Sequence, residues 1–124
     1  MLCQKKSLQI MNESKIQKEL RKFAEDRDWN KFHALKNLAI SISIESSELL
    51  EIFQWEKDNS KFWKKKEKIN MINDEFADVM LYLLRFADLA NLDIEKICYE
   101  KIKKNKKKYP IKLSKGTSKK YTEF

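Results

Sequence analysis

Phe76-Ala77-Asp78-Val79-Met80-Leu81-Tyr82-Leu83-Leu84-Arg85-Phe86-Ala87-Asp88-Leu89-Ala90 is the stretch on which the reading of the fold turns. Twelve of these fifteen residues are apolar. Neither glycine nor proline interrupts the run, and none occurs in residues 1–109, because Pro110 and Gly116 are the only examples in the chain. A chain without these breakers favours long helices over a turn-rich β architecture. The excess of Lys, Glu, Leu and Ile points the same way.

Working back from this run, the helix is expected to begin after a Glu56–Ser60 loop, with Asn59 or Ser60 as its cap and a lysine-rich first half. A preceding helix is predicted from about Phe32 to Trp55, apolar round more than one face. The first helix should run from Ser14, as N-cap, to Asp26, with Ile16, Leu20, Phe23 and Ala24 forming one stripe. Beyond Ala90, Asp93 should cap a helix from Ile94 to about Lys108, without a capping box because Lys96 stands where its Glu would be. Residues 111–124 show no clear period. The expected fold is all-α, a four-helix-bundle-like subunit over residues 14–110, preceded by an extension at 1–13 and followed by a basic tail at 111–124. The two central helices carry more apolar surface than one bundle can bury, so an obligate homo-oligomer is expected.

The formal charge of +8 is unevenly spread. Residues 101–120 hold ten lysines and no acid, which leaves 17 basic against 19 acidic residues elsewhere. A mildly acidic body thus carries a basic C-terminal segment, suited to an anionic partner or simply solvated. Only Tyr109 and Tyr121 accompany these lysines as aromatics, which is sparse for a nucleic-acid surface. Cys3 and Cys98 lack metal-binding or redox spacing, and Cys98 reads as a helical core thiol. No apolar run reaches the about 20 residues of a membrane span, and the N-terminus has no signal-peptide pattern. A cytoplasmic location is expected, with Met11 as an alternative start.

Two groups of acids interrupt the apolar patterns. Glu45 and Glu48, with Glu51 one step on, lie in the run from Leu35 to Trp55, and Glu75 and Asp78 head the run quoted above. A spacing of i, i+3 brings two side chains to nearly the same helix face. Ionised carboxylates in apolar surroundings are costly unless a counter-charge is shared. Oxygen-only ligands suit Mg²⁺ or Mn²⁺.

These acids also sit within a longer pattern. Phe23-Ala24-Glu25-Asp26-Arg27-Asp28-Trp29-Asn30-Lys31-Phe32-His33, then Lys36-Asn37-Leu38, precede Glu45-x-x-Glu48-Leu49-x-Glu51-x-Phe53-Gln54-Trp55. Glu75-x-x-Asp78-Val79-x-x-Tyr82-Leu83, Lys101-x-x-x-Asn105-x-x-x-Tyr109-Pro110 and Ser118-Lys119-Lys120-Tyr121-Thr122-Glu123 follow in order. From about residue 16 to the end, the chain resembles the MazG-like all-α nucleoside triphosphate pyrophosphohydrolases, in particular the dCTP pyrophosphatase branch.

The resemblance implies Mg²⁺-dependent cleavage of a dNTP, dCTP or a modified dCTP, to the monophosphate and pyrophosphate, in nucleotide-pool housecleaning by a homotetramer. It implies Glu45, Glu48, Glu75 and Asp78 as metal ligands, and Glu51 as an outer ligand or a base for the attacking water. It implies Trp29, His33, Trp55, Tyr82, Lys101 and Asn105 as substrate contacts. Trp63 has no counterpart and reads as a packing or interface residue. This chain has Leu20 where vertebrate relatives carry a histidine, Asp74-Glu75 where some have a Glu-Glu pair, and Ser46-Ser47 where glycines are usual. These departures bear on base choice and leave the hydrolytic core intact. The alternatives are a related enzyme for oxidised or purine nucleotides and a non-enzymatic helical module that binds nucleic acid, although nucleic acid is not the expected partner.

Overall fold

A computed structural model describes residues 10–124. Cys3 and the region of a Met1 start lie outside them. Six α-helices and two 3-10 turns make up the ordered elements, with no strand among the described residues. No described helix is long and apolar enough to cross a membrane. The chain divides into two compact units, Met1–Ala90 and Asn91–Phe124.

In the first unit, α1 (Glu13–Asp26), α2 (Leu35–Glu51) and the one-turn α3 (Ser60–Trp63) all pack on α4 (Lys66–Leu89), α2 most extensively. Helix α1 starts one residue earlier than the sequence suggests. Asn12, not Ser14, is the cap, and its side chain accepts from the Lys15 N–H at 3.0 Å.

Helix α1 ends in a Schellman motif. The Trp29 N–H reaches the Ala24 carbonyl (2.8 Å), the Asp28 N–H reaches that of Glu25 (3.1 Å), and Asp28 takes the left-handed conformation at φ 53°. The apolar contact that accompanies such a cap is an edge-to-face pair of Phe23 and Trp29, 5.6 Å between centroids. The position of Trp29 is therefore set by the chemistry of a helix end.

Helix α2 is shorter at both ends than the expected 32–55. Asn30–Phe32 form a 3-10 turn, and Ala34 is extended before the helix begins at Leu35. At the other end Ile52 and Phe53 turn inward, where Ile52 is buried and Phe53 meets the buried Phe62 edge to face at 5.9 Å. Burial of these two groups outcompetes helix continuation, and Trp55 is left 88 % exposed. Ser46 and Ser47 donate back to the carbonyls of Ile42 and Ser43, so their hydroxyls are satisfied within the helix.

The lysine-rich start of the third expected helix is also broken. Asn59 caps α3 by accepting from the Phe62 N–H, and the extended Lys65 separates α3 from α4. The apolar core of the first unit is small: Ala24, Leu38, Ile52, Phe62, Leu84 and Ala87. Ile40, Ile44 and Leu50 of α2 and Phe76 and Leu83 of α4 stay exposed on the subunit.

In the second unit α5 (Ile94–Lys108) matches its expected limits, with the Asp93 side chain accepting from the Lys96 N–H at 3.1 Å. Cys98 is an exposed free thiol on α5, not the core group expected. The tail has more order than its sequence suggested. Helix α6 (Ile111–Ser114) follows Pro110, and Tyr121–Glu123 form a 3-10 turn. Tyr109 holds this segment through edge-to-face contacts with Tyr121 (6.0 Å) and Phe124 (5.9 Å).

Candidate active site

The two acid groups converge. Packing of α2 on α4 brings carboxylate oxygens of Glu45, Glu48 and Glu75 within 4.8 Å of one another. One oxygen of Glu45 and one of Glu75 are shut off from solvent and have no hydrogen-bond partner. Burial is the main cause that raises the Glu45 pKa, to about 7, followed by the Glu48 carboxyl beside it and the charges of Asp78 and Glu75. Burial likewise raises that of Glu75, with Glu48, Asp78 and Asp74 adding to it. Orphaned oxygens in an all-carboxylate set fit a hard divalent cation.

Asp78 stands outside the trio but within its electrostatic reach, and Asp78 and Glu48 are exposed. The acids therefore line the wall of an opening, and the burial that the apolar sequence context implied is confined to two oxygens. Glu51, the last residue of α2, is exposed and outside the trio.

Beside the acids a cavity of about 560 Å³ opens between α1 and α4. Along α4 it is walled by Asp78, Leu81, Tyr82 and Arg85, which lie at i, i+3, i+4 and i+7 on one face. Leu20 and Phe23 of α1 supply the opposite apolar wall, and Trp29 and His33 close it. A second cavity of about 300 Å³ lies on the α2 side, lined by Phe32, Asn37, Leu38 and Ser41. Trp29, His33 and Tyr82 line both, so three of the expected substrate residues form the partition between the two.

Trp55, by contrast, lines neither cavity. Lys101 and Asn105 sit one helical turn apart on α5 in the second unit, both exposed. Trp63 is on α3, where its neighbour Phe62 is the buried ring.

Sequence reasoning missed a set of residues at the far end of the first cavity. Arg85 is only 6 % exposed, and each of its guanidinium nitrogens has an acceptor. Nε–H donates to His33 Nδ1 (3.1 Å), Nη2 to Asn30 Oδ1 (2.9 Å), and Nη1 pairs with Asp88 Oδ2 (3.3 Å). Asp88 also receives Arg21 Nε from α1 at 3.0 Å, and Gln17 bonds the Leu84 carbonyl at 3.0 Å. Burial and the neighbouring Arg85 charge lower the His33 pKa. The signal was available: an arginine in an apolar run demands partners just as an aspartate does.

Comparison with known proteins gives the family. Residues 40–124 match the model of the MazG-like family. Rat dCTP pyrophosphatase 1 is 35 % identical over 105 residues, 82 % of this chain and 61 % of the relative. The human protein of the same name is 34 % identical over the same share of each chain. The chain thus spans about three fifths of the length of these curated relatives. The crystal structure of a pyrophosphatase from Archaeoglobus fulgidus superposes with a TM-score of 0.74 at 38 % identity, covering 82 % of this chain and 95 % of that one. With a family match over more than half its length and relatives of this identity, the chain belongs to the MazG-like family.

Proposed function

We propose that this protein is a nucleotide pyrophosphohydrolase that cleaves a dNTP, dCTP or a modified dCTP, between the α- and β-phosphates, with Mg²⁺ or Mn²⁺ as cofactor. The observation that carries the reading is the convergence of Glu45, Glu48 and Glu75 next to an aromatic-walled cavity. Its likeness to dCTP pyrophosphatases and to an archaeal pyrophosphatase supports the same reading.

Glu45, Glu48 and Glu75, with Asp78 beside them, would hold the cation, which when bound neutralises phosphate charge and acidifies water. Glu51, at the end of α2 and outside the trio like Asp78, is proposed as an outer ligand or as the base for the attacking water. Trp29 and Tyr82 offer flat faces to the base and sugar. Lys101 and Asn105 of α5, and Trp55, are proposed to complete the substrate contacts. Leu20 lines the cavity with an apolar group, and a preference for oxidised or purine nucleotides is the alternative.

The exposed apolar residues Ile40, Ile44 and Leu50 support a homo-oligomer, a tetramer by resemblance, with a second copy covering α2. The role is cytoplasmic nucleotide-pool housecleaning. A nucleic-acid module is disfavoured because Tyr109 and Tyr121 are engaged edge to face with each other.

The test is a dNTP panel with pyrophosphate detection. Release of pyrophosphate is expected only with Mg²⁺ or Mn²⁺, and Glu48→Gln or Asp78→Asn should lower kcat about a thousandfold. Silence across the panel with metal present would sink the enzyme reading.

A further inference from the structure

Arginine carries hydrogen-bond donors and no acceptor. An imidazole nitrogen that faces a guanidinium N–H must therefore offer its lone pair, and in a neutral ring the proton then resides on the other nitrogen. Arg85 Nε–H faces His33 Nδ1 at 3.1 Å. The guanidinium cannot swing away cheaply, because Asn30 and Asp88 hold its other two nitrogens and Arg85 is buried. Among the described residues Nε2 of His33 has no hydrogen-bond partner, and the ring lines both cavities.

The place of this ring along the cavity decides what it can touch. Asp78 and Arg85 are seven residues apart on one face of α4, which is about 10 Å along the helix axis. A triphosphate held at the acidic end would carry its base toward the Arg85 end, between Trp29 and Tyr82. We infer that Arg85 locks His33 as its Nε2–H tautomer and that this N–H is a fixed hydrogen-bond donor for an acceptor atom on the nucleobase. His33 is then a specificity-determining residue and Arg85 its positioning residue. Depression of the His33 pKa by burial and by the Arg85 charge agrees with a ring that stays neutral. A ring so held is a donor to the substrate and no general base. The assignment of the acceptor to a nucleobase rests on the pyrophosphohydrolase reading, whereas the tautomer does not.

His33 is the only histidine in the chain, so its two nitrogens can be read without ambiguity by long-range ¹H–¹⁵N correlation NMR on the whole protein. The wild type should give one acceptor-type nitrogen at Nδ1 and one protonated nitrogen at Nε2, and Arg85→Met should add the other tautomer. A doubly protonated ring, or an Nδ1–H ring, in the wild type would overturn the lock even with the enzyme active. A silent dNTP panel would remove the enzyme reading while this spectrum still stood.

The kinetic arm compares a nucleotide with inorganic tripolyphosphate, which has no base. His33→Ala should raise KM for the preferred dNTP about threefold to tenfold with kcat little changed. His33→Gln, which returns an N–H near Nε2, should recover most of that loss. Inhibition by tripolyphosphate should be unaffected by either variant. Equal weakening of tripolyphosphate, or an unchanged KM, would overturn the base contact.

Discussion

At Glu75, helix α4 presents a carboxylate oxygen that is shut off from solvent and bonded to nothing, and Glu45 presents another across from it. At Arg85, further along the same helix, it presents a guanidinium whose three nitrogens each reach an acceptor. Both are charges embedded in one apolar run, and the protein treats them oppositely. The arginine is completed by its own chain, through Asn30, His33 and Asp88. The carboxylates are left incomplete and face one another. Charges completed internally hold a structure in one arrangement, whereas charges left without partners are stable only when something else arrives.

The largest effect that follows is on the completed side. Arg85→Met removes the partner of a half-buried aspartate, an amide oxygen and an imidazole nitrogen at once. It should destabilise folding by about 2–4 kcal/mol in urea titrations. Asp88 keeps Arg21 as a partner, which places the loss below that of a charge left wholly bare. A loss under about 1 kcal/mol would mean that the network is decoration and the comparison false.

How much of this contrast is legible in the sequence differs between its two halves. The acids are visible because i, i+3 pairs in apolar runs place carboxylates on one face, and the carboxylates of Glu45, Glu48 and Glu75 do meet. Helix α5 and its Asp93 cap are equally visible, since local hydrogen-bonding chemistry sets both. Arg85 was open to the same argument as Asp78, but its partners were not, because Asn30 and His33 reach it only through the 3-10 turn that follows α1. That turn depends on a left-handed residue, Asp28, where no glycine marks it. The ends of α2 were misjudged for a related reason: inward packing of Ile52 and Phe53 onto Phe62 is a tertiary event that helical periodicity does not encode. Trp55, placed in a helix by pattern, consequently faces solvent. The tail order hinges on aromatic contacts of Tyr109 with rings twelve and fifteen residues away, beyond any local period.

On the incomplete side the expected changes have the opposite sign. In metal-free protein, Glu45→Gln should stabilise by about 1–2 kcal/mol at pH 8, the cost of one orphaned buried polar group, while it removes activity. Linkage gives a second reading. The folded state holds the Glu45 proton up to about pH 7, whereas the unfolded carboxylate releases it near 4.5. Stability from this group is thus fully present below about pH 4.5 and is lost as pH rises to about 7. Glu75, also raised, adds a slope of the same sign. His33, with its pKa lowered from 6.5, contributes the opposite slope on the acid side of that value, so the difference between wild type and Glu45→Gln isolates the carboxylate. That difference in Tm should widen from pH 4.5 to 7 with chelator present, and Mg²⁺ should reverse it at pH 8 by binding only the wild-type trio well. A flat difference would break the claim that these oxygens are unsatisfied.

The smallest predicted effect lies at the hinge that brings Trp29 and His33 to the Arg85 side. Asp28 holds φ 53° at the end of α1, a conformation that disfavours side chains with a Cβ, and it pairs with the exposed Lys31 at 2.8 Å. Glycine adopts this conformation without penalty but gains freedom in the unfolded chain, so the two terms partly offset. Asp28→Gly should therefore stabilise by about half a kcal/mol, with kcat and KM unchanged, because the Schellman hydrogen bonds and the Phe23–Trp29 contact persist. A decrease in stability would mean that the Lys31 pair, and not the backbone of the cap, holds the turn. The completed half of the comparison would then depend on a surface charge that salt can screen, and the Arg85–His33 bond should weaken with ionic strength. With the cap as the cause, that bond is insensitive to salt, and a thermal-denaturation series in NaCl separates the two.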